Sequence, residues 1–155
     1  MSKLISLLSL SFFIFFVTCF VAASTGALFP PDEWYKSLQK PSWNPPDWLF
    51  PIAWSILYVI IAYVGMRISI IGGEAPFAIG LWALQICLNT IWTPIFFGLH
   101  KIRLAMNFIL GLWSTVFIMV VTYWFIDVLS SVLLIPYLIW VSFAAVLNYK
   151  VMVPN

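Results

Sequence analysis

The sequence predicts an all-α membrane protein: a bundle of five transmembrane helices with a proline- and tryptophan-rich first loop that acts as a lid. Of its 155 residues, 64% are apolar and 8% charged, whereas about 25% of the residues in a soluble domain are charged. A soluble chain of this length could not bury so much apolar surface. Five apolar runs are also long enough to cross a hydrocarbon core of about 30 Å. We therefore expect an integral, multi-pass membrane protein.

The five runs are predicted to be helices within a single transmembrane domain that covers residues 1–155. Backbone polar groups in lipid must find their partners inside the same segment, and a helix achieves this. Strong charges in the runs are confined to Arg67 and Lys150, which lie near span ends and are expected to snorkel to the interface. The predicted spans are residues 4–23, 51–71, 76–97, 104–126 and 129–151.

The first span also has the features of a secretory signal peptide. Lys3 precedes the apolar stretch, and the small residues Ala22 and Ala23 end it. However, a signal core is usually about 7–15 residues long, and this run reaches 20 residues. We expect a retained helix.

The first loop, residues 25–50, is the one long connection. Its prolines, such as those at Pro30-Pro31 and Pro45-Pro46, keep it out of helix. It also carries Trp34, Trp43 and Trp48, whose rings prefer the membrane boundary. These rings fit either a plain aromatic belt or a lid that contacts a ligand.

Polar and aromatic side chains share one face of the third span. Gln85, Asn89 and Trp92 recur at i, i+4 and i+7, which places them on one side of a helix. A side-chain amide that faces lipid loses hydrogen bonds worth several kcal/mol. This face is therefore predicted to point into the bundle, toward another helix, a ligand or water.

Two further spans carry comparable stripes, in which large rings stand beside small or polar residues. These are Trp54, Tyr58, Ala62 and Gly65 in the second span, and Tyr137, Trp140, Ala144 and either Leu147 or Asn148 in the fifth. Such faces form either an ordinary helix interface or a cleft that suits a flat apolar ligand. Helical periodicity alone favours an ordinary helix interface over a ligand cleft.

A third-span stripe of small residues, Gly80, Ala83 and Cys87, would allow close approach of another helix and predicts a contact within the bundle or a homodimer. Pro94 and Pro136 interrupt helical patterns and are expected to bend their spans.

Several classes of function find no support. The net charge of +2 comes from scattered cations, so no basic patch predicts nucleic-acid binding. Cys19 and Cys87 lie in apolar runs and are expected to be buried thiols. His100 is the only histidine, which argues against a metal site or a catalytic triad. The acids Asp32, Glu33, Asp47, Glu74 and Asp127 lie in loops or at span ends, with no acid–base pair evident in sequence.

Long motifs resemble those of the TspO/translocator family. The first loop reads WY, L, KP, W, PP and W from Trp34 to Trp48 with matching spacing. Trp54 and Tyr58 resemble the family's second-helix pair. LNTIWTPIFFG from Leu88 resembles its third-helix motif, and PYLIWVSFAAVLN from Pro136 its fifth.

The resemblance implies a pocket beneath the first loop that binds porphyrins or haem and, in some members, sterols. It implies no required cofactor beyond the tetrapyrrole ligand. Matching positions assign the pocket to Ala27, Trp43, Asn44, Trp54, Asn89, Trp92, Trp140, Phe143, Ala144 and Leu147, and the stripes above add Tyr58 and Tyr137. A sterol partner fits less well, because the family's sterol motif needs a spacer between Tyr149 and the following cation, and Lys150 follows directly.

The resemblance implies that the protein is a membrane-embedded binding protein that senses, regulates or translocates tetrapyrroles. Asn44 or Asn89 is expected to pair with the polar edge of the ligand. An alternative is an enzyme that degrades protoporphyrin in light through tryptophan radicals at Trp54 and Trp140. A third hypothesis is a structural or partner-binding membrane subunit.

Overall fold

A computed structural model describes residues 2–71 and 76–155, and every regular element in that part of the chain is helical. Five of the helical segments are long and apolar enough to span a membrane, which confirms the predicted five-helix membrane bundle. Glu74 lies outside the described residues. The elements are α1 (Ser2–Leu28), the short α2 (Glu33–Ser37), α3 (Leu49–Ile71), α4 (Pro76–Thr93) with a π-helical turn (Pro94–Gly98), α5 (Ile102–Trp124) and α6 (Val128–Met152).

Helix α1 continues past the predicted end of its span at Ala23 and ends at Leu28. The Ser24 and Thr25 hydroxyls donate to carbonyls one turn earlier, at 2.6 and 2.7 Å, so these residues remain within the helix. Pro30 disfavours helix in the residue before it. The segment between α1 and α3, residues 29–48, is called the connecting segment below.

The five long helices form a closed ring. Helix α1 packs against α3 and α4, α6 packs against α3 and α5, and α4 packs against α5. Gly65 allows this packing because it has no side chain. A Cβ atom at this position would lie 2.5 Å from the Phe15 ring and 2.8 Å from Trp82 Nε1. This indole donates to the Ile61 carbonyl at 2.9 Å. Three helices therefore meet closely at one glycine.

The half of the bundle farthest from the connecting segment is tightly packed. Tyr123, which is fully buried, donates its hydroxyl hydrogen to the Ala78 carbonyl at 2.7 Å. The Ser131 hydroxyl donates to the Val120 carbonyl at 2.6 Å. These bonds join α5 to α4 and to α6.

Arg67, which lies near the end of its span, forms an ion pair, and its predicted snorkelling to the interface stays a prediction. Its Nε and Nη2 atoms donate to the two carboxylate oxygens of Asp127 at 2.8 and 2.9 Å. Asp127 also accepts from the backbone N–H of Ser130 and so caps α6. The Arg67 hydrogen bonds are the main reason that the pKa of Asp127 falls to about 2.

The prediction that both thiols are buried is correct for Cys19 and wrong for Cys87, which is exposed. Cys87 shares the exposed outer face of α4 with Gly80 and Ala83, and the inward positions belong to residues such as Gln85 and Asn89. Apolar runs in a membrane bundle face both the core and the lipid, so an apolar neighbourhood does not reveal burial. The predicted homodimer through this face stays a prediction.

Candidate ligand cavity

A cavity of about 550 Å³ lies between the connecting segment and the adjoining ends of the helices. All five long helices contribute, through residues such as Ala27 in α1, Trp54 in α3, Trp92 in α4, Leu112 in α5 and Trp140 in α6. Its size falls within the range of about 300–1,000 Å³ that is common for small-molecule sites.

Aromatic rings form much of the cavity wall. Trp54 and Trp140 meet edge to face, with ring centroids 6.5 Å apart. On the α4 side, Trp92 stacks on Phe96 at 5.1 Å, and Phe96 contacts Phe97 at 4.8 Å. The wall therefore presents flat apolar surfaces from several helices.

The π-helical turn brings two successive phenylalanines to this wall. Pro94 has no N–H to donate, and the chain closes the wider turn with a bond from Leu99 N–H to the Pro94 carbonyl at 2.9 Å. Phe96 and Phe97 both line the cavity as a result. The expected disturbance at Pro94 is thus a π-helical turn, which often occurs at functional sites.

A chain of hydrogen bonds runs from the cavity into the bundle. The Tyr58 hydroxyl donates to Asn89 Oδ1 at 3.0 Å, and Asn89 Nδ2 donates to the Tyr137 hydroxyl at 2.9 Å. Tyr137 in turn donates to Gln85 Oε1 at 2.8 Å. Both ends of the Asn89 amide therefore have protein partners, and the inward polar face predicted for the third span is present.

Asn148 fixes the Trp92 indole on the α4 side of the cavity wall. Trp92 Nε1 donates to Asn148 Oδ1 at 3.3 Å, and Asn148 Nδ2 donates to the Ile102 carbonyl at 3.3 Å. The Asn148 amide, which is buried, thus orients Trp92 from α6 and ties α6 to the start of α5.

Three buried polar atoms in the described part of the chain have no protein partner: Trp140 Nε1, Asn44 Oδ1 and Gln85 Nε2. Trp140 lines the cavity, and its N–H is a donor only. Asn44 lies in the connecting segment, where its Nδ2 donates to the Pro45 carbonyl at 3.0 Å. Buried polar groups are normally hydrogen-bonded, so all three atoms have unused bonding capacity.

The structure brings most of the sequence-predicted site residues to this cavity. Those that line it are Ala27, Trp54, Tyr58, Asn89, Trp92, Trp140, Ala144 and Leu147. The other four do not line it. Tyr137 is fully buried behind Asn89, and Asn44 lies in the connecting segment. Trp43 packs on Phe143 at 5.7 Å, and Phe143 packs on Trp140 at 5.6 Å.

Several lining residues were not predicted from the sequence: Tyr35, Asp47, Phe50, Phe96 and Phe97. Phe50 precedes Trp54 by four residues and so extends the stripe of Trp54 and Tyr58 by one helical turn. Helical spacing could therefore have identified it. Phe96 and Phe97 depend on the π-helical turn. Tyr35 and Asp47 depend on how the connecting segment folds back over the helices, and no periodic pattern encodes that.

Besides its ring contacts, the connecting segment makes polar contacts with His100 and with Asn155. The Asp32 carboxylate lies 3.0 Å from His100 Nε2, and the His100 ring stacks on Trp34 at 4.0 Å. At a second point, Asn155 accepts from the Gln39 N–H at 3.2 Å and donates to the Gln39 carbonyl at 3.1 Å. The Asp32–His100 pair was not evident from sequence because the two residues lie far apart along the chain.

Ionisable groups in the connecting segment respond to this packing. The Tyr35 backbone N–H donates to the Asp32 carboxylate and is the main reason that the pKa of Asp32 lies below its usual value. Burial raises the pKa of Tyr35, whose ring packs on Phe97 at 5.2 Å. In the described part of the chain, no group of three or more His, Cys, Asp or Glu side chains could hold a metal ion.

Comparison with known proteins agrees with these features. The sequence profile of the TspO/MBR family matches residues 13–153. The chain is 47% identical over 143 residues to Protein CrtK of Rhodobacter capsulatus, covering 90% of this chain and 89% of that protein. It is 40% identical to the tryptophan-rich sensory protein of Cereibacter sphaeroides, with 91% and 89% covered, and 36% identical to the translocator protein of Homo sapiens, with 77% and 73% covered. The chain belongs to the TspO/MBR family.

Proposed function

We propose that this membrane protein binds a porphyrin or haem-type tetrapyrrole in the cavity and acts as a sensor, regulator or translocator of that ligand. The observation that carries the proposal is the enclosure of an apolar space of about 550 Å³ by aromatic rings from α3, α4 and α6. A flat conjugated macrocycle matches these surfaces, because ring pairs attract beyond the area that they bury.

The orphan donor of Trp140 supports the same ligand class. A ligand acceptor that meets Trp140 Nε1 would satisfy a buried N–H that has no protein partner, and leaving such a group unpaired costs about 1–3 kcal/mol. The predicted pairing of Asn89 with the polar edge of the ligand stays a prediction. Its amide is engaged by Tyr58 and Tyr137, so it holds the wall in place and Trp140 is the better candidate for the polar edge.

The connecting segment is proposed to cover the ligand as a lid. Phe29, Pro31, Tyr35 and Asp47 of this segment line the cavity, so a ligand that enters from this side must displace or pass them. The names of two relatives, a sensory protein and a translocator protein, fit a ligand that is captured and released at the membrane.

The test is a titration of the detergent-solubilised protein with protoporphyrin IX, followed by quenching of tryptophan fluorescence. The Trp54→Phe, Trp140→Phe double variant should bind at least about tenfold more weakly, because it loses an N–H donor and ring area on the cavity wall. Trp124→Phe is the matched control, since Trp124 is exposed and does not line the cavity. An affinity of the double variant equal to that of the control would refute the proposal.

The enzymatic alternative, light-dependent degradation of protoporphyrin, is favoured by one contact. Trp54 touches Trp140 edge to face and lies 5.5 Å from Tyr58, so oxidisable rings are adjacent at the site. Illumination of the complex decides between the two functions. Loss of more than one porphyrin per protein, abolished in the double variant, supports catalysis, and an unchanged absorption band supports binding alone.

A further inference from the structure

Asp47 carries the only charge among the described residues that line the cavity. The remaining lining residues are apolar or carry hydroxyl, amide and indole groups. No ion pair in the described ranges includes Asp47. A carboxylate that belongs to no ion pair therefore stands at the wall that the connecting segment contributes.

The two lysines of the connecting segment have other close partners, although Lys36 also attracts Asp47 at longer range. Lys36 Nζ pairs with Glu33 at 2.7 Å, and Lys40 Nζ lies over the Tyr35 ring at 4.4 Å and near backbone carbonyls. Neither lysine lines the cavity. A ligand carboxylate placed at this wall would therefore contact Asp47 directly, whereas no cation lines the cavity.

We propose that Asp47 sets the charge preference of the cavity, which favours macrocycles with neutral peripheral groups over macrocycles with free carboxylates near the connecting segment. This inference rests on the proposed tetrapyrrole binding and narrows it to a ligand class. Two unit charges a few ångströms apart repel measurably even in water. Because Asp47 is exposed, solvent screens the repulsion, and we expect an effect of about three- to tenfold on the dissociation constant.

The experiment compares protoporphyrin IX, which bears two carboxylates, with its dimethyl ester. Each is titrated against the wild-type protein, Asp47→Asn and Glu33→Gln by tryptophan quenching in one neutral detergent. The ratio of variant to wild-type affinity is taken for each ligand, so that partition of the ligand into micelles cancels. Glu33→Gln removes a carboxylate from the same segment at an exposed position outside the cavity.

We expect Asp47→Asn to tighten binding of the diacid about three- to tenfold and to change diester binding less than twofold, with Glu33→Gln altering neither. Raising the salt concentration should narrow the difference between wild type and Asp47→Asn for the diacid. If both ligands bind and Asp47→Asn leaves the ratio of diacid affinity to diester affinity unchanged, this inference fails and the proposed tetrapyrrole binding stands. If the wild type binds neither ligand, both proposals fail.

Discussion

At the scale of single residues, side-chain hydrogen bonds link several buried polar groups of this bundle into chains. Asn89 uses both ends of its amide, one for Tyr58 and one for Tyr137. Arg67 engages two carboxylate oxygens of Asp127. Such groups are costly in an apolar interior unless they are paired. Removal of one partner should therefore leave the others unpaired and destabilise the fold.

Asn89→Leu should lower the free energy of unfolding by about 1–2 kcal/mol, because it leaves the Tyr58 hydroxyl without its acceptor and removes the donor to Tyr137. Reversible unfolding in mixed micelles measures the change. Asn107→Leu is the control, because this substitution makes the same chemical change at an exposed position outside the core. Equal losses in the two variants would contradict the expected role of the hydrogen-bond chain.

Asp127→Asn should destabilise the protein at neutral pH by up to about 2 kcal/mol, because it removes the charge paired with Arg67 while asparagine still caps α6. The folded-state pKa of about 2 lies below the usual value of 3.8. The carboxylate thus contributes its full stability above about pH 4, and this contribution disappears as the pH falls toward 2. Unfolding curves of wild type and variant should converge between these values, and a gap that stays constant would rule out the linkage.

At the scale of elements, two features decide how the helices and the connecting segment fit together. Gly65 allows α1 and α4 to approach α3 closely, with Phe15 and Trp82 filling the space that a side chain would take. The connecting segment reaches His100 through Asp32 and Trp34. Neither feature belongs to the hydrophobic pattern of any one helix.

Gly65→Ala should destabilise the protein by about 1–3 kcal/mol despite the better helix propensity of alanine. Its Cβ would lie 2.5 Å from the Phe15 ring and 2.8 Å from Trp82 Nε1, so these packed rings, or the helices that carry them, must shift. Gly80→Ala is the matched control, because a Cβ there meets nothing within 4 Å and the same propensity gain should appear as a small stabilisation. Thermal unfolding of both variants provides the comparison, and opposite signs are expected.

His100→Gly should speed amide hydrogen exchange in residues 29–48 severalfold with little change in global stability. The variant removes the ring that contacts Asp32 and Trp34, and glycine relieves the left-handed backbone of His100, whose φ is 55°. Lys36→Gln serves as the control, because it breaks an exposed pair within α2 that does not reach the helical bundle. Exchange rates that are the same in both variants would show that this contact does not hold the segment.

At the scale of the whole molecule, the protein divides into a cavity half and a packed half. The cavity adjoins the connecting segment, whereas fully buried residues such as Tyr123, Met119 and Leu134 fill the bundle elsewhere. A ligand bound in the cavity therefore has access toward the connecting segment, and passage through the packed half requires the helices to separate.

Tyr123→Phe should separate stability from binding. The variant loses the hydrogen bond to the Ala78 carbonyl and should unfold more easily by about 1 kcal/mol. Its porphyrin affinity should stay within twofold of wild type, because Tyr123 does not line the cavity. A large loss of affinity, measured by the same fluorescence titration, would show that the two halves are energetically coupled.

The sequence by itself determined the five spans, the membrane environment and the polar faces that turn inward. Lipid imposes length and internal hydrogen bonding on each segment separately, and the positions of Asn89 and Trp140 within single helices follow from the helical period. The motifs around Trp34 and Pro136 are also sufficient to indicate the family, because they are runs of neighbouring residues that need no tertiary contact to be recognised.

Only the tertiary structure decided which residues meet across elements. The pairing of Arg67 with Asp127, the contact of His100 with Asp32 and the position of Asp47 on the cavity wall all join residues of different segments. The exposure of Cys87 likewise depends on which side of α4 faces the bundle. Helical periodicity relates residues within one segment, whereas these contacts depend on how separate segments pack, and an apolar run looks the same whether its neighbour is protein or lipid.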